Sequence, residues 1–307
     1  MGWWRRERVL LLSGGSNRGA AQIGMVRSIM EAGWRPDRIV GASAGSLNAV
    51  SLGSDWSFEG LERLEQVWRG MIGTEVFPGS RLNRLVRLAR GEGGLHSADG
   101  LSALIERHLT VTDLKECAIP TQVVVVDLTD GRILSVGEGR ALPWLVASCS
   151  LPGVLPAVEI AGHLYTDGGA TTPVPIGAAL ECRPRELIVC DVSDPHWRRR
   201  PHPGALETVL GAYQAARNEV HRGELARARR EIRRLCWIAT GSDRHIALDD
   251  FSQTEDLIAA GYRAAQVALA GPWRDHDAMA ARLEQLSILD RSTGTLESKR
   301  LTRGGRR

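Results

Sequence analysis

Ser43 stands at the centre of Gly41-Ala42-Ser43-Ala44-Gly45, after the apolar run Ile39-Val40 and before Ser46-Leu47-Asn48-Ala49-Val50, which reads as the first turns of a helix. A strand that turns at once into a helix is the setting of a G-x-S-x-G nucleophile elbow. The turn strains the serine backbone and lifts the hydroxyl above the sheet edge, and a side chain at either flank would collide there, so both flanks are glycine. The helix behind the serine adds the partial positive charge of its N-terminus, which favours an anion nearby. The chemistry would be attack by a serine oxygen on a carbonyl carbon. The same residues could instead make a glycine-rich turn with an ordinary helix-capping serine, so the choice depends on what else the chain brings to the turn.

A second stretch, Ser13-Gly14-Gly15-Ser16-Asn17-Arg18-Gly19, follows the apolar run Val9-Leu10-Leu11-Leu12. It fails as a dinucleotide fingerprint, because Ser16 replaces the middle glycine of G-x-G-x-x-G and no acidic residue ends the next strand. It fails as a phosphate-binding P-loop for want of Gly-Lys-Ser/Thr. The remaining reading is a nest of backbone N–H groups suited to an oxyanion. In a parallel sheet the C-terminal ends of neighbouring strands lie together, so this loop and the Ser43 elbow can share one crevice.

The elements that must position these groups are legible as periodicities. Residues 9–12 and 38–40 read as buried strands, and Ala20 to Ala32 as a helix with Ile23, Val26, Ile29 and Met30 on one face, closed by Gly33. Strand, loop, helix, strand, elbow and helix in that order describe a βαβα unit and a mostly parallel sheet with helices on both faces, a three-layer α/β sandwich. Residues 54–110 read as an insertion holding amphipathic helices at 58–71, 80–90 and 98–109, the last capped by Ser97 or Asp99. The 80–90 helix sets Leu82, Leu85, Val86 and Ala89 against arginines on the opposite face. It suits either a lid in contact with an anionic membrane or a surface helix packed on the domain.

Strands are expected at 121–127 and 132–136 around Thr129-Asp130-Gly131, at 158–160 and 163–165, at 187–192 and at 235–238. Helices are expected at 144–148, 206–234, 254–270 and 276–289. No repeat or linker divides the chain, so one domain spans 1–307: a motif-bearing core at 9–194, a C-terminal portion at 195–290 and a basic tail at 291–307. Hydrophobic residues at 43% and charged residues at 24% are ordinary for a globular chain, and a net charge of +3 is too small to argue for nucleic acid. The cysteines at 117, 149, 182, 190 and 236 form no C-x-x-C and sit in or beside apolar segments, as in a reduced intracellular protein. With no cleavable leader, no myristoylation signal and no membrane-length apolar run, a cytoplasmic location is the expectation. The absence of H-E-x-x-H and of paired Cys/His at zinc spacing argues against a metal centre.

The third stretch is Asp167-Gly168-Gly169 at the end of an expected strand, which alone would be a plain turn. With the other two it resembles the patatin-like phospholipase family, whose marks are G-G-G-x-R/K-G, G-x-S-x-G and D-G-G/A in that order. Asp127-Leu128-Thr129-Asp130-Gly131-Arg132 and Ala147-Ser148-Cys149-Ser150-Leu151-Pro152-Gly153-Val154-Leu155-Pro156 are similar to further family stretches, as is Gly94-Leu95 through Gly100-Leu101. The resemblance runs from about Val9 to Asp194.

The resemblance implies hydrolysis of lipid-like acyl esters by a Ser43–Asp167 dyad, with Ser43 as nucleophile and Asp167 as base. Backbone donors would come from the loop Gly14, Gly15, Ser16, Asn17, Arg18 and Gly19, and no cofactor is needed because water cleaves the acyl-enzyme. A carboxylate serves as base toward a hydroxyl only where desolvation raises its proton affinity. A Ser-His-Asp triad with His163 or His245 is the competing arrangement. Interception of the acyl-enzyme by another acceptor, or a non-catalytic interaction protein on the same fold, are the alternatives to hydrolysis. The departure from the family pattern is Ser16 at its third glycine: if that position needs positive φ, a serine there is strained.

Overall fold

The structure, a computed structural model, describes residues 7–77, 87, 90, 93–193, 204–240, 246–271 and 273. Eight strands form one sheet: β1 Arg8–Leu12, β2 Arg38–Ala42, β3 Thr121–Asp127, β4 Arg132–Val136, β5 Val158–Ile160, β6 His163–Asp167, β7 Glu186–Asp191 and β8 Arg234–Ala239. They lie in the order β5-β6-β3-β2-β1-β7-β8, with β4 also paired to β3. Strands β3, β2, β1, β7 and β8 are parallel, and β4, β5 and β6 enter as antiparallel hairpin strands. Continuous apolar runs make the central strands because both faces are covered.

Alternation along those strands divides the core. Leu10, Leu12, Ile39, Ile188 and Cys190 pack under α1 (Ala20–Glu31), α3 (Phe58–Gly70) and α9 (Thr254–Ala270). Val9, Leu11, Val40, Leu187 and Val189 face the other way, onto α7 (Ile176–Glu181) and α8 (Ala205–Glu231). This is the expected three-layer α/β sandwich. A further cluster joins β3 and the hairpins to α4 (Gly73–Val76), α5 (Asp99–His108) and α6 (Ala141–Cys149). Helices α1 and α9 touch through glycine: a Cβ on Gly24 would stand 1.9 Å from the Ile258 carbonyl oxygen, and one on Gly261 would stand 1.9 Å from that of Ala21.

One topological feature brings the candidate residues together. Strand β4 occupies one edge of β3 over residues 123–127. The opposite edge is shared: β2 pairs with its first half, Ala42 opposite Val124, and β6 with its second half, Asp167 opposite Val125. A parallel and an antiparallel strand therefore meet end to end along one edge, and the residues at the meeting point are Ser43 and Asp167.

Some boundaries differ from expectation. The long helix stops at Glu231 rather than at 234, because Arg234 is drawn into β8, where it pairs opposite Glu186, forms an ion pair with it at 3.3 Å and lies over the Trp273 ring. Helix α5 has Ala98 at its cap with no side-chain hydrogen bond; Asp99 sits in its first turn, where its charge meets the helix dipole. Helix α6 starts three residues earlier than 144. The expected helices at 276–289 and over most of 80–90 lie outside the described residues, as does His245. Among the described residues no helix is long and apolar enough to cross a membrane.

Candidate active site

Ser43 sits between β2 and α2 (Ala44–Ser54) at φ 53° and ψ −130°, a conformation a non-glycine residue holds only where its surroundings enforce it. Its side chain makes no capping hydrogen bond to the helix, so the ordinary capping serine is not what the structure contains. A Cβ on Gly45 would stand 2.3 Å from the Leu12 carbonyl oxygen, which is why the flank cannot carry a side chain. The elbow is held from outside as well: the Ser43 amide donates to Ser148 Oγ at 3.0 Å, and that hydroxyl donates to the Val124 carbonyl at 2.7 Å.

Asp167, the last residue of β6, is buried. Its Oδ1 accepts the Gly169 amide at 2.6 Å, and its own amide donates to the Ser150 carbonyl at 3.1 Å. Burial pushes the carboxyl up to about 6, against the pull of a hydrogen bond from the Ser43 side chain, the Gly169 amide and the positive charge of Arg217. Beside it the Cys149 thiol is pushed far upward by burial and by the Asp167 charge, so it stays protonated and is no rival nucleophile.

The glycine loop lies against both residues. A Cβ on Gly14 would stand 3.2 Å from Ser43 Cβ and 3.9 Å from Gly169 Cα. The Gly14 amide donates to the Pro173 carbonyl at 3.3 Å. Residues Ser16–Gly19 form a short 3-10 helix, whose first amides point out of its own hydrogen-bond ladder. Ser16 has φ 52°, so the position does take the left-handed conformation that glycine favours. Its hydroxyl donates to the Leu248 carbonyl at 3.3 Å, and Asn17 Nδ2 donates to the carbonyls of Ala247 at 2.7 Å and Asp250 at 2.5 Å. The loop is braced from below by a buried polar chain. Gln22 Nε2 donates to the Ser13 carbonyl at 2.9 Å, Asn48 Nδ2 to Gln22 Oε1 at 2.8 Å and Trp68 Nε1 to Asn48 Oδ1 at 2.8 Å. A buried network of this kind fixes geometry because every member is satisfied.

Ser43 and Asp167 open into a cavity of about 260 Å³. Its walls include Leu47, Trp68, Met71, Phe77, Leu104 and Phe251, and Gly14 to Arg18, Ser193 and Arg217 supply the polar rim. An apolar chamber with a few convergent polar groups is the usual form of a small-molecule site. Arg18 lines it too and is buried.

His163 is not among the described residues that line this cavity; its Nδ1 meets Asp127 Oδ2 at 3.1 Å in the hairpin region. Asp127, Asp130 and His163 are the grouping of potential metal ligands among the described residues. Asp127 Oδ1 accepts the Thr129 and Asp130 amides, and Asp130 pairs with Arg132 at 2.7 Å, which is the bonding of a turn.

Sequence reasoning missed the supports. Ser148 and Ser150 stood in a stretch singled out by resemblance, but no spacing rule assigns their bonds. Arg217, whose Nε donates to the Gly169 carbonyl at 2.9 Å, sits on a polar helix with no local signal at all.

A strained serine between a parallel strand and a helix, facing a cavity at the C-terminal edge of the sheet, is the elbow architecture of the α/β hydrolases. The chain belongs to the patatin-like phospholipase family, whose sequence profile matches residues 10–180. It is 25% identical over 186 residues to patatin-like phospholipase domain-containing protein 7 of Mus musculus, covering 60% of this chain and 13% of that protein. It is 25% identical over 167 residues to an uncharacterized NTE family protein of Mycobacterium tuberculosis, covering 54% of this chain and 44% of the relative. The chain thus spans less than half the length of these relatives. The crystal structure of VipD from Legionella pneumophila superposes with a TM-score of 0.49 at 13% identity, over 87% of this chain and 67% of that one.

Proposed function

We propose that the protein hydrolyses carboxylic esters of lipid-like acyl groups through Ser43 and Asp167. The observation that carries this reading is the buried carboxyl raised to about 6 beside the strained serine, at the mouth of an apolar cavity. A base whose proton affinity lies near the working pH is ionised at neutrality yet strong enough to accept a proton in the transition state.

In this reading Ser43 Oγ attacks the ester carbon while its proton passes to Asp167. The tetrahedral oxyanion rests on backbone N–H groups of the glycine loop around Gly14 to Ser16, of which the Gly14 amide also serves the Pro173 carbonyl. Asp167 returns the proton to the departing alcohol, and a water activated by the same carboxylate then cleaves the acyl-enzyme. The acyl chain lies among the apolar walls, and Arg18, buried in the cavity lining, either anchors the glycine loop or offsets negative charge on the substrate or the oxyanion. The family membership and the names of its relatives, patatin-like phospholipases, agree with a lipid substrate. Contact with an anionic membrane rests on the arginine-rich stretch 80–90 alone.

A fluorophosphonate probe tests the nucleophile. It should label Ser43 and no other serine, and Ser43→Ala should abolish labelling and ester hydrolysis while the circular dichroism spectrum stays unchanged. Labelling that survives the substitution rejects the assignment.

A further inference from the structure

Helix α8 lies beyond the span matched by the family profile, yet it carries the bonds that hold the segment after Asp167. Arg217 Nε donates to the Gly169 carbonyl at 2.9 Å, and the Tyr213 hydroxyl donates to the Ala170 carbonyl. Glu224 accepts the Thr172 hydroxyl at 2.6 Å and the Gly177 amide at 3.1 Å. Residues 213, 217 and 224 share one helical face, so a single rigid element splints the chain from Gly169 to Gly177. Of these three, Arg217 also lines the cavity with Ser43 and Asp167.

We propose that Arg217 is a positioning residue for the catalytic base: through the Gly169 carbonyl it fixes the turn that aims Asp167, and it sets a permanent positive charge in the cavity that the carboxylate lines. The proposal rests on the Ser43–Asp167 reading. The groups facing Asp167 come from several elements: the Ser43 hydroxyl from the elbow, the Cys149 thiol from α6, and Tyr213 and Arg217 from α8. Arg18 reaches the same cavity from the glycine loop. Burial drives both the thiol and the phenol upward, so neither carries charge at neutral pH. The guanidinium is the charged group whose field acts on Asp167, and it favours the ionised form.

The test is the pH profile of kcat/KM on a short soluble ester for wild type, Arg217→Gln, Arg217→Met and Arg217→Lys. Folding is checked by circular dichroism; methionine keeps the packing of the stem should glutamine not be tolerated. Loss of the charge raises the proton affinity of Asp167, so the acid limb of the two uncharged variants should move to higher pH by about one unit. At pH values on that limb they then lose about a further tenfold, and they recover this part once Asp167 is ionised above the shifted limb, on a plateau lowered at least as far as that of Arg217→Lys by the lost bond to Gly169. Arg217→Lys keeps the charge and should leave the limb in place, with a lower plateau from the altered bond to Gly169. A uniform loss at every pH in the uncharged variants, or a limb that moves equally in Arg217→Lys, overturns the proposal. Asp167→Asn measured alongside separates the two failures. If it retains activity, the base assignment falls and takes this proposal with it. If it is inactive while the Arg217 limbs stay put, the role of Arg217 falls alone.

Discussion

Ser148 Oγ accepts the backbone N–H of Ser43 at 3.0 Å and hands its own proton to the Val124 carbonyl at 2.7 Å. Ser43 is therefore tied by one hydroxyl to the strand that also pairs with Asp167, since Val124 and Val125 face Ala42 and Asp167. Two residues further on, the Ser150 carbonyl accepts the Asp167 amide at 3.1 Å and the Thr166 hydroxyl at 2.5 Å. A three-residue stretch at the end of α6 thus sets both partners of the site.

Ser148→Ala should loosen the elbow without touching the reacting atoms. Deleting the hydroxyl leaves a buried amide and a buried carbonyl each short of a partner, which costs about 1–3 kcal/mol of stability. If Ser43 is the attacking group, its misplacement should cost roughly 10–100-fold in kcat with little change in KM. Thermal melts and short-ester kinetics read the two effects; a variant as active as wild type would show that the strand and helix alone hold Ser43.

Ser16 and Asn17 fasten the glycine loop to the 246–251 segment, which supplies Ile246, Leu248 and Phe251 to the cavity wall. Asn17→Leu removes two bonds to that wall at nearly constant volume. KM should rise several-fold for long-chain esters, which need the wall, and change less for short ones; an equal rise on both would point to collapse of the loop itself. Ser16→Gly relieves the left-handed backbone while losing one weak bond at 3.3 Å, so stability should hold or rise by about 1 kcal/mol. Chemical denaturation measures it.

The sheet was legible because its central strands are unbroken apolar runs and its glycines punctuate them. The three motifs were legible because each demands particular residue types at fixed spacing. The end-to-end meeting of β2 and β6 along β3 was not, since each reaches β3 from a distant part of the chain, Ala42 opposite Val124 and Asp167 opposite Val125, and such pairing leaves no local pattern. Arg217 was hidden for the same reason: its partner is a backbone carbonyl 48 positions away, and any polar residue of α8 would look equivalent in sequence. Strain at Ser16 was expected if the position needs positive φ, and the residue holds φ 52°. Its hydroxyl also bonds the Leu248 carbonyl in the pocket wall, a contact that depends on a segment more than two hundred residues further on and so could not be read locally.

For wild type, kcat/KM should rise through about pH 6 as Asp167 loses its proton and then level off, with the pKa of the buried carboxyl setting the limb. His163→Gln should leave this profile and the plateau unchanged, because the imidazole is engaged with Asp127 away from the cavity. A histidine substitution that removes the limb or the activity would instead place that residue in a triad.

Asp167→Asn separates activity from stability. An amide cannot hold the serine proton at neutral pH, so acylation should fall by about 10²–10⁴-fold, the usual worth of a general base. Stability should move the other way, and the sign follows from the raised pKa. The folded carboxyl binds its proton more tightly, near 6, than an unfolded aspartate with an ordinary value of 3.8. The stability this lends wild type is fully present below the unfolded value and is lost as pH rises through the folded one, where the buried group must ionise. Asparagine carries no such charge, and its Oδ1 can still accept the Gly169 amide. Relative to wild type the variant should therefore gain on the order of 2–3 kcal/mol between pH 4 and pH 7. Urea unfolding at several pH values measures the difference directly. A difference that is flat with pH would mean that Asp167 is already ionised at pH 4 in the folded protein, which would undercut its role as a base near neutrality even if the substitution were inactive.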